Sequence, residues 1–411
     1  MNKNKISNLV HIISGGTPKT SNPDFWNGDI GWLSVADFNN NNRYVYTSEK
    51  TISRAGLTSS STKLLQKNDI IISARGTVGA LAQIGIPMCF NQSCFGLRGK
   101  EGIIDNTFLY YCLKNYVANI KKRSQGSVFD TINLNTFDLM EIDYPESLST
   151  QQRIASVLAA LDNKIELNKC INAELEAMAK NLYDYWFVQC DFPDKNDKPY
   201  KSSGGKMFYN DTLKREIPEG WYDSNILAVA QLLGGGTPSK KIPQYWDGKI
   251  PFFTPTDANG TLFKFTTEDN ITDEGLKNSS TKLFDKNTVF ITARGSVGKL
   301  VLAGTKMAMN QSCYALKAMP DISYTFLFFL TKELIHHLEV KSSGSVFDSI
   351  VSNDIEYTNL AIPEPSLVEK FSNIAEPVFS CIANTTIENE QLAKLRDWLL
   401  PMLMNGQVTV K

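Results

Sequence analysis

Histidine is almost missing from this chain: His11, His336 and His337 are the whole supply. So few support neither a paired-His metal site nor a Ser-His-Asp arrangement. A phosphate loop of the form Gly-x-x-x-x-Gly-Lys-Ser/Thr is missing too. Gly76-x-x-Gly79 lacks the third glycine of a dinucleotide loop and opens no evident helix. There is no excess of either charge, with 42 Lys and Arg against 43 Asp and Glu. A DNA-binding surface on such a chain must be a local patch, or be completed by a partner. The charge is unevenly spread: residues 1–145 carry about four more basic than acidic residues, and residues 210–365 about three fewer. Long hydrophobic runs are absent. The most apolar stretch, Phe326-Leu327-Phe328-Phe329-Leu330, is far too short to span a bilayer. Met1-Asn2-Lys3-Asn4-Lys5 leads into only a short apolar run, so no signal peptide is expected. The seven cysteines are odd in number and lack metal-type spacing, which points to a reducing, cytoplasmic setting with no membrane partner.

What the chain does have, it has twice. Gly15-Gly16-Thr17-Pro18 returns as Gly235-Gly236-Thr237-Pro238, and Ala74-Arg75-Gly76-Thr77-Val78-Gly79 as Ala293-Arg294-Gly295-Ser296-Val297-Gly298. Asn91-Gln92-Ser93-Cys94 returns as Asn310-Gln311-Ser312-Cys313, and Gly126-Ser127-Val128-Phe129-Asp130 as Gly344-Ser345-Val346-Phe347-Asp348. The order is kept and the offset drifts only from 220 to 218. A repeat of roughly 200 residues is too long for a solenoid unit, so each copy reads as a folded domain plus a connector.

Each copy opens on a turn-rich segment in which Trp26 answers to Trp246 and Asp37 to Asp257. Short β-type runs follow, Ile70–Ser73 and Thr288–Ile291, among Gly, Asn, Ser and Thr clusters that read as turns. Cys94 and Cys313 fall at equivalent strand-like positions and are expected as buried thiols. Helix-like segments Thr107–Lys122 and Thr325–Val340 come next. The pattern predicts a mostly β domain with a few helices, built twice.

The texture then changes. Thr150 to Phe187 contains neither Pro nor Gly, and Leu158, Leu161, Ile165, Ile171, Leu175, Met178, Leu182 and Tyr185 recur at spacings of mostly three and four. This predicts an amphipathic helix with a coiled-coil seam, on the order of 55 Å long. Asn168 interrupts the stripe, a polar residue of the kind that fixes register. From Val368 to Leu400 the pattern recurs with Ile374, Val378, Ile382, Ile387, Leu392, Leu395 and Leu399, and Asn172–Leu175 lies 217 before Asn389–Leu392. Pro377 is expected to kink or delay this second helix. The expected seam contacts are Leu161, Ile165, Ile171, Leu175, Met178, Leu182, Ile382, Leu392, Leu395 and Leu399. The expected fold is α+β: a domain (1–147), a helix (148–190), a polar linker (191–211), a second domain (212–366) and a second helix (367–411). The helices are expected to pair as an antiparallel coiled coil about a pseudo-two-fold axis; the alternative packs each on its own domain.

Enzyme-like fragments are weak. Asn22-Pro23-Asp24-Phe25 lacks the second Pro of an amino-methyltransferase motif, its mate Ile242-Pro243-Gln244-Tyr245 lacks the Asn as well, and Pro193-Asp194-Lys195 sits in the polar linker. Binding groups are better placed. Arg75 and Arg294 each follow an apolar run and precede a glycine, where a planar guanidinium could engage phosphate or guanine. The other reading ties them to Asp37 and Asp257. Lys63 and Lys282 are shared basic residues with a solvated-surface alternative. Lys19 beside the first Gly-Gly-Thr-Pro, and Lys240 and Lys241 beside the second, join the candidates. So do Lys121, Lys122 and Arg123 at a helix end, followed by Gln125 and Ser127, and in the second copy Lys341, Ser343 and Ser345. Asn91, Gln92, Asn310 and Gln311 could read base edges or satisfy buried backbone.

In sum the pattern resembles the specificity subunit of type I restriction–modification systems. The likeness rests on Gly-Gly-Thr-Pro, Trp and Asp in each copy, on Ala-Arg-Gly-x-Val-Gly, Asn-Gln and Gly-Ser-Val-Phe-Asp in order, and on Ser149-Thr150-Gln151-Gln152-Arg153-Ile154 at the helix entry. Leu367-Val368-Glu369-Lys370-Phe371 departs from that entry. The resemblance implies a non-catalytic chain with one target-recognition domain per half of a split double-stranded DNA sequence, its helices fixing the gap and docking two modification subunits. Those partners would carry S-adenosylmethionine and methylate adenine, and restriction subunits would bring ATP and magnesium; no cofactor is expected on this chain. The alternative is a stand-alone regulator of a bipartite site. If the copies share framework and phosphate contacts, base choice falls where they differ: Asp37–Tyr46 against Asp257–Thr266, and Ala80–Phe90 against Lys299–Met309.

Overall fold

Runs of β-branched and aromatic residues between turn signals become strands in both repeats, in the same order. The computed structural model describes residues 1–123, 131–341 and 348–410, with the backbone alone at 121–123. No helix among them is long and apolar enough to cross a membrane. The chain divides into two units, Met1–Leu167 with Asn389–Lys411, and Asn168–Glu388.

In the first unit a five-stranded sheet runs Val10–Ser14, Cys94–Gly99, Ile70–Ser73, Leu81–Ile84, Tyr44–Val45. A three-stranded sheet runs Lys50–Ile52, Trp26–Leu33, Cys89–Phe90. The second unit has the same two sheets: Ala230–Gly234, Cys313–Ala318, Val289–Thr292, Leu300–Ala303, Phe263–Lys264, and Asp269–Ile271, Trp246–Phe253, Ala308–Met309. Even the parallel pairings recur, Tyr44–Val45 on Leu81–Ile84 and Phe263–Lys264 on Leu300–Ala303. Ser73 pairs with Cys94 as Thr292 pairs with Cys313. Each domain is tied off by a short pairing of an early strand with a late one, Asn2–Lys5 with Glu141–Tyr144 and Tyr222–Ser224 with Leu360–Ile362.

The central strand of each large sheet is buried throughout, which is why it reads as a continuous apolar run instead of an alternating one. Its side chains still alternate. Ile70 and Ile72 enter the core under helix Asn106–Arg123, while Ile71 packs on the other side with Leu33, Phe38 and Phe90. Val289 and Ile291 against Phe290 repeat this under helix Tyr324–Lys341. Cys94 and Cys313 lie in these cores, as their position predicted, and burial pushes both thiols up to about 12.

The first long helix is Leu148–Tyr183, continued by one wide turn, Asp184–Val188. The second, Pro365–Met404, starts twelve residues before Pro377, so that proline does not delay it. The carbonyl that loses its helical donor belongs to Asn373, which is exposed. In the first unit Ile154, Ala155 and Leu158 share a core with Leu400, Leu403 and Met404. In the second, Ala179 and Tyr183 share one with Phe371, Ala375, Phe379 and Ile382. Each domain core is thus closed by part of its own helix and part of the other repeat's helix.

The buried stripe differs from the expected seam. Ile165 and Ile382 are buried, and Leu161, Leu175, Leu182, Leu392 and Leu399 are half-buried. Ile171, Met178 and Leu395 face solvent instead. The stripe runs through Asp162, Asn168 and Ala179, polar or small residues whose places a count of large apolar side chains passes over. The linker also holds unexpected structure: a hairpin of Met207–Asn210 with Arg215–Pro218 lies across residue 211, where the polar linker was expected to end.

Candidate nucleic-acid interface

The shared motifs converge in each domain. Gly15 lies so close to the Asn-Gln-Ser turn that a Cβ there would sit 2.1 Å from the Asn91 carbonyl oxygen, and a Cβ on Gly235 would sit 2.2 Å from that of Asn310. The Thr17 hydroxyl donates to Gln92 Oε1, and Thr237 to Gln311. Asn91 Oδ1 accepts from the Ser93 amide at 3.0 Å, as Asn310 Oδ1 does from Ser312. The side-chain oxygens of Asn91, Gln92, Asn310 and Gln311 are thus engaged within their own domains.

Beside this knot the central strand ends and turns out. Ser73 Oγ accepts from the Ala80 amide at 2.8 Å and donates to the Thr77 carbonyl, closing Arg75-Gly76-Thr77-Val78-Gly79 into a tight loop. Thr292 does the same for Arg294–Gly298. Gly76 and Gly295 take φ of 75° and 85°, a conformation that disfavours a side chain. Arg75 and Arg294 stand exposed on these loops.

The carboxylates that could have tied them are spent elsewhere. Asp37 caps a short helix, accepting from Ser34 N at 2.7 Å and Oγ at 2.8 Å, and its other oxygen accepts from the Glu49 amide at 2.7 Å. Asp257 repeats this with Thr254 and Glu268. Among the described residues neither arginine has an ion-pair partner. The spacings Ser34-x-x-Asp37 and Thr254-x-x-Asp257 are cap signatures, the signal that could have settled this from sequence. A concavity of about 530 Å³ opens at Arg75, walled by Ser34, Asn39, Thr77, Asn91 and Ser93.

Around the arginines the copies differ. The exposed loop Asn39–Asn41 reaches the first one through Asn39 Nδ2, which lies 3.5 Å from Thr77 Oγ1. In the second domain the loop holds Asn259, Gly260 and Thr261, with Ser296 Oγ donating to the Pro255 carbonyl at 3.3 Å and Lys299 Nζ to the Ala258 carbonyl at 3.1 Å. The other differing segment lies mostly in the core. Within Ala80–Phe90 and Lys299–Met309, Ala82–Gly85, Met88–Phe90, Val301–Gly304 and Met307–Met309 are buried. Those buried side chains fill differently shaped cores and cannot reach a base edge, whereas Ile86, Pro87, Thr305 and Lys306 of the same segments are exposed.

Lys19, Lys63, Lys240, Lys241 and Lys282 are exposed and without ion pairs among the described residues; the Lys240 ammonium lies 5.6 Å from the Trp246 ring centre. Lys341 is exposed at the end of its helix. Lys121, Lys122 and Arg123 end helix Asn106–Arg123. Their side chains, and Gln125, Ser127, Ser343 and Ser345, lie outside the described residues.

The family described as "Type I restriction modification DNA specificity domain" matches residues 1–177 and 218–397. The specificity subunit of type I restriction enzyme MjaIX from Methanocaldococcus jannaschii is 28% identical over 99% of this chain and 93% of that protein. That of HindI from Haemophilus influenzae is 23% identical over 69% of this chain and 72% of its own. The crystal structure of a type I restriction–modification S subunit from M. genitalium superposes with a TM-score of 0.58 at 16% identity, covering 98% of this chain and 96% of that one. With two matched stretches spanning most of its length, the chain belongs to the type I restriction modification DNA specificity family, whose members are the specificity subunits of type I restriction enzymes.

Proposed function

We propose that this specificity subunit reads a bipartite double-stranded DNA target with one domain per half-site and docks adenine methyltransferase subunits on its long helices. One observation carries the reading: the same loop in each domain presents an exposed arginine without a carboxylate partner among the described residues, beside an exposed loop that differs between copies. A shared arginine suits phosphate, which is the same at every step, and a differing loop suits bases. Lys19, Lys63, Lys240, Lys241, Lys282 and Lys341 extend the phosphate surface.

The helices support the second half of the proposal. In the second unit Asn168 pairs with Glu388 and Asn172 with Thr386, so one helix ascends as the other descends. This favours an antiparallel coiled coil as the ruler between half-sites. Met178 on the first helix, and Ile374 and Trp398 on the second, are exposed apolar residues of the kind a partner surface covers. S-adenosylmethionine, ATP and magnesium would then belong to the partner subunits, and this chain would catalyse nothing alone.

The test is co-expression with an adenine methyltransferase encoded beside it, followed by genome-wide methylation mapping. A bipartite adenine mark lost on deleting this chain is the expected result. Specific, tight binding to the site by this chain with no partner, and no methylation, would support a stand-alone regulator instead.

A further inference from the structure

Equivalent positions in the two units hold non-equivalent chemistry. In the first unit the Tyr111 hydroxyl donates to Asp162 Oδ2 at 2.7 Å, and Arg396 Nη1 donates to Oδ1 at 2.6 Å. The pair is buried, with side-chain exposures of 6% for Asp162 and 13% for Arg396. The offset of 217 that aligns Asn172 with Asn389 carries Asp162 to Phe379 and Ala179 to Arg396; the offset of 218 carries Tyr111 to Phe329. In the second unit Phe329 and Phe379 meet edge to face, ring centres 5.7 Å apart, in the cluster that also holds Ala179. Tyr, Asp and Arg in one unit are therefore Phe, Phe and Ala in the other.

Each unit takes a domain, part of its own long helix, and part of the other repeat's helix. Were that last piece to come from a like repeat on another molecule, other side chains would meet. With two first repeats, Ala179 would stand in the place of Arg396, and Asp162 would be a buried carboxylate with no cation bonded to it. With two second repeats, Arg396 would stand in the place of Ala179, against Phe329 and Phe379, without Asp162 and with only its exposed chain neighbour Asp397 to pair with. That pairing would also put Leu400 in the place of Tyr183, whose hydroxyl donates to Glu333 Oε2 at 3.0 Å. Removing one partner of a buried ion pair is strongly destabilising, whereas the intact pair adds little over apolar packing. The value of such a pair is therefore in what it rejects.

We propose that Asp162 and Arg396 act as an address that lets the first repeat pair only with the second, and excludes pairing of like repeats from two copies of this chain. The proposal goes beyond the DNA reading and does not depend on it.

The test uses the full chain with a protease recognition site inserted after Ser203, in the exposed segment 201–204. The protein is folded, then nicked. Isotope-labelled and unlabelled preparations are mixed in urea low enough to keep helical circular dichroism but high enough to scramble labels, and fragment pairs are counted by native mass spectrometry. In the wild type, mixed pairs should outnumber like pairs by at least about a hundredfold. Tyr111→Phe/Asp162→Phe/Arg396→Ala gives the first unit the residues of the second, and like pairs should become comparable to mixed ones. Asp162→Asn/Arg396→Gln removes both charges with little change in shape and asks the same question should the triple variant not fold. Abundant like pairs in the wild type overturn the proposal, as do strictly mixed pairs in a folded variant whose labels have scrambled.

Discussion

Within the second unit Asn168 donates its amide to Glu388 Oε2 at 2.7 Å, from a side chain with no exposed surface. The bond joins the two long helices at residues 220 apart in sequence. A buried amide on a carboxylate is a charge-assisted contact, directional where apolar packing is not. Sliding either helix by a turn would break it, so the contact is suited to fixing register. Asn168→Ala should weaken this helix pairing by about 1.5–3 kcal/mol. Amide hydrogen exchange across residues 168–183 measures it, and unchanged protection there would refute the role.

Arg75→Ala should lower DNA affinity roughly tenfold while leaving the recognised sequence unchanged, and reduce the dependence of log K on log salt by about one. Titrations at several salt concentrations on cognate and half-substituted sites measure both. A relaxed or altered half-site would make Arg75 a base reader.

Exchanging Asn39–Asn41 with Asn259–Thr261 should change the half-sites recognised without loss of folding, because both loops are exposed. Exchanging Ala80–Phe90 with Lys299–Met309 should instead cost stability, since it moves buried side chains between differently shaped cores. Methylation mapping and thermal unfolding separate these outcomes. Unchanged half-sites after the first exchange would place base reading elsewhere.

Met178 and Trp398 are 62% and 58% exposed. Met178→Asp and Trp398→Asp should therefore leave stability within about 0.5 kcal/mol and yet abolish co-purification with the methyltransferase subunits. If both variants still capture the partner, neither residue belongs to a docking surface.

Thiol chemistry offers an independent check of the cores. The thiolate is the reactive form, and burial pushes Cys89 up to about 11 and Cys94 and Cys313 up to about 12, so all three stay protonated at pH 8. Cys170 and Cys381 are exposed on the long helices. Iodoacetamide at pH 8 should modify these two rapidly and the buried ones only on unfolding, as peptide mass spectrometry would show.

Much of the fold was visible in the sequence because the duplication compares each element with itself. Ile70–Ser73 and the helices near Thr107–Lys122 and Thr325–Val340 stood out since their apolar pattern appears twice in one order. The seam was placed less well for a physical reason. Its buried stripe includes Asp162 and Asn168, satisfied by Arg396 and Glu388 from far along the chain, while Ile171 and Met178 are left to solvent. No local pattern reports such partners. At the site, the exposed arginines were found, but not the caps that occupy Asp37 and Asp257. A segment that differs between copies can differ to fill a core, as Ala80–Phe90 does, and a pairwise comparison of repeats does not separate that from base choice.

The division of the chain has a bearing on its synthesis. Residues 168–388 form a continuous unit, so its core can be complete as soon as they leave the ribosome. The first unit is discontinuous: Leu400, Leu403 and Met404 fill the core begun by Ile6, Leu9 and Val10. The domain made first is thus finished last, and a nonsense mutation near residue 390 would injure the amino-terminal domain while sparing the one encoded just before the stop.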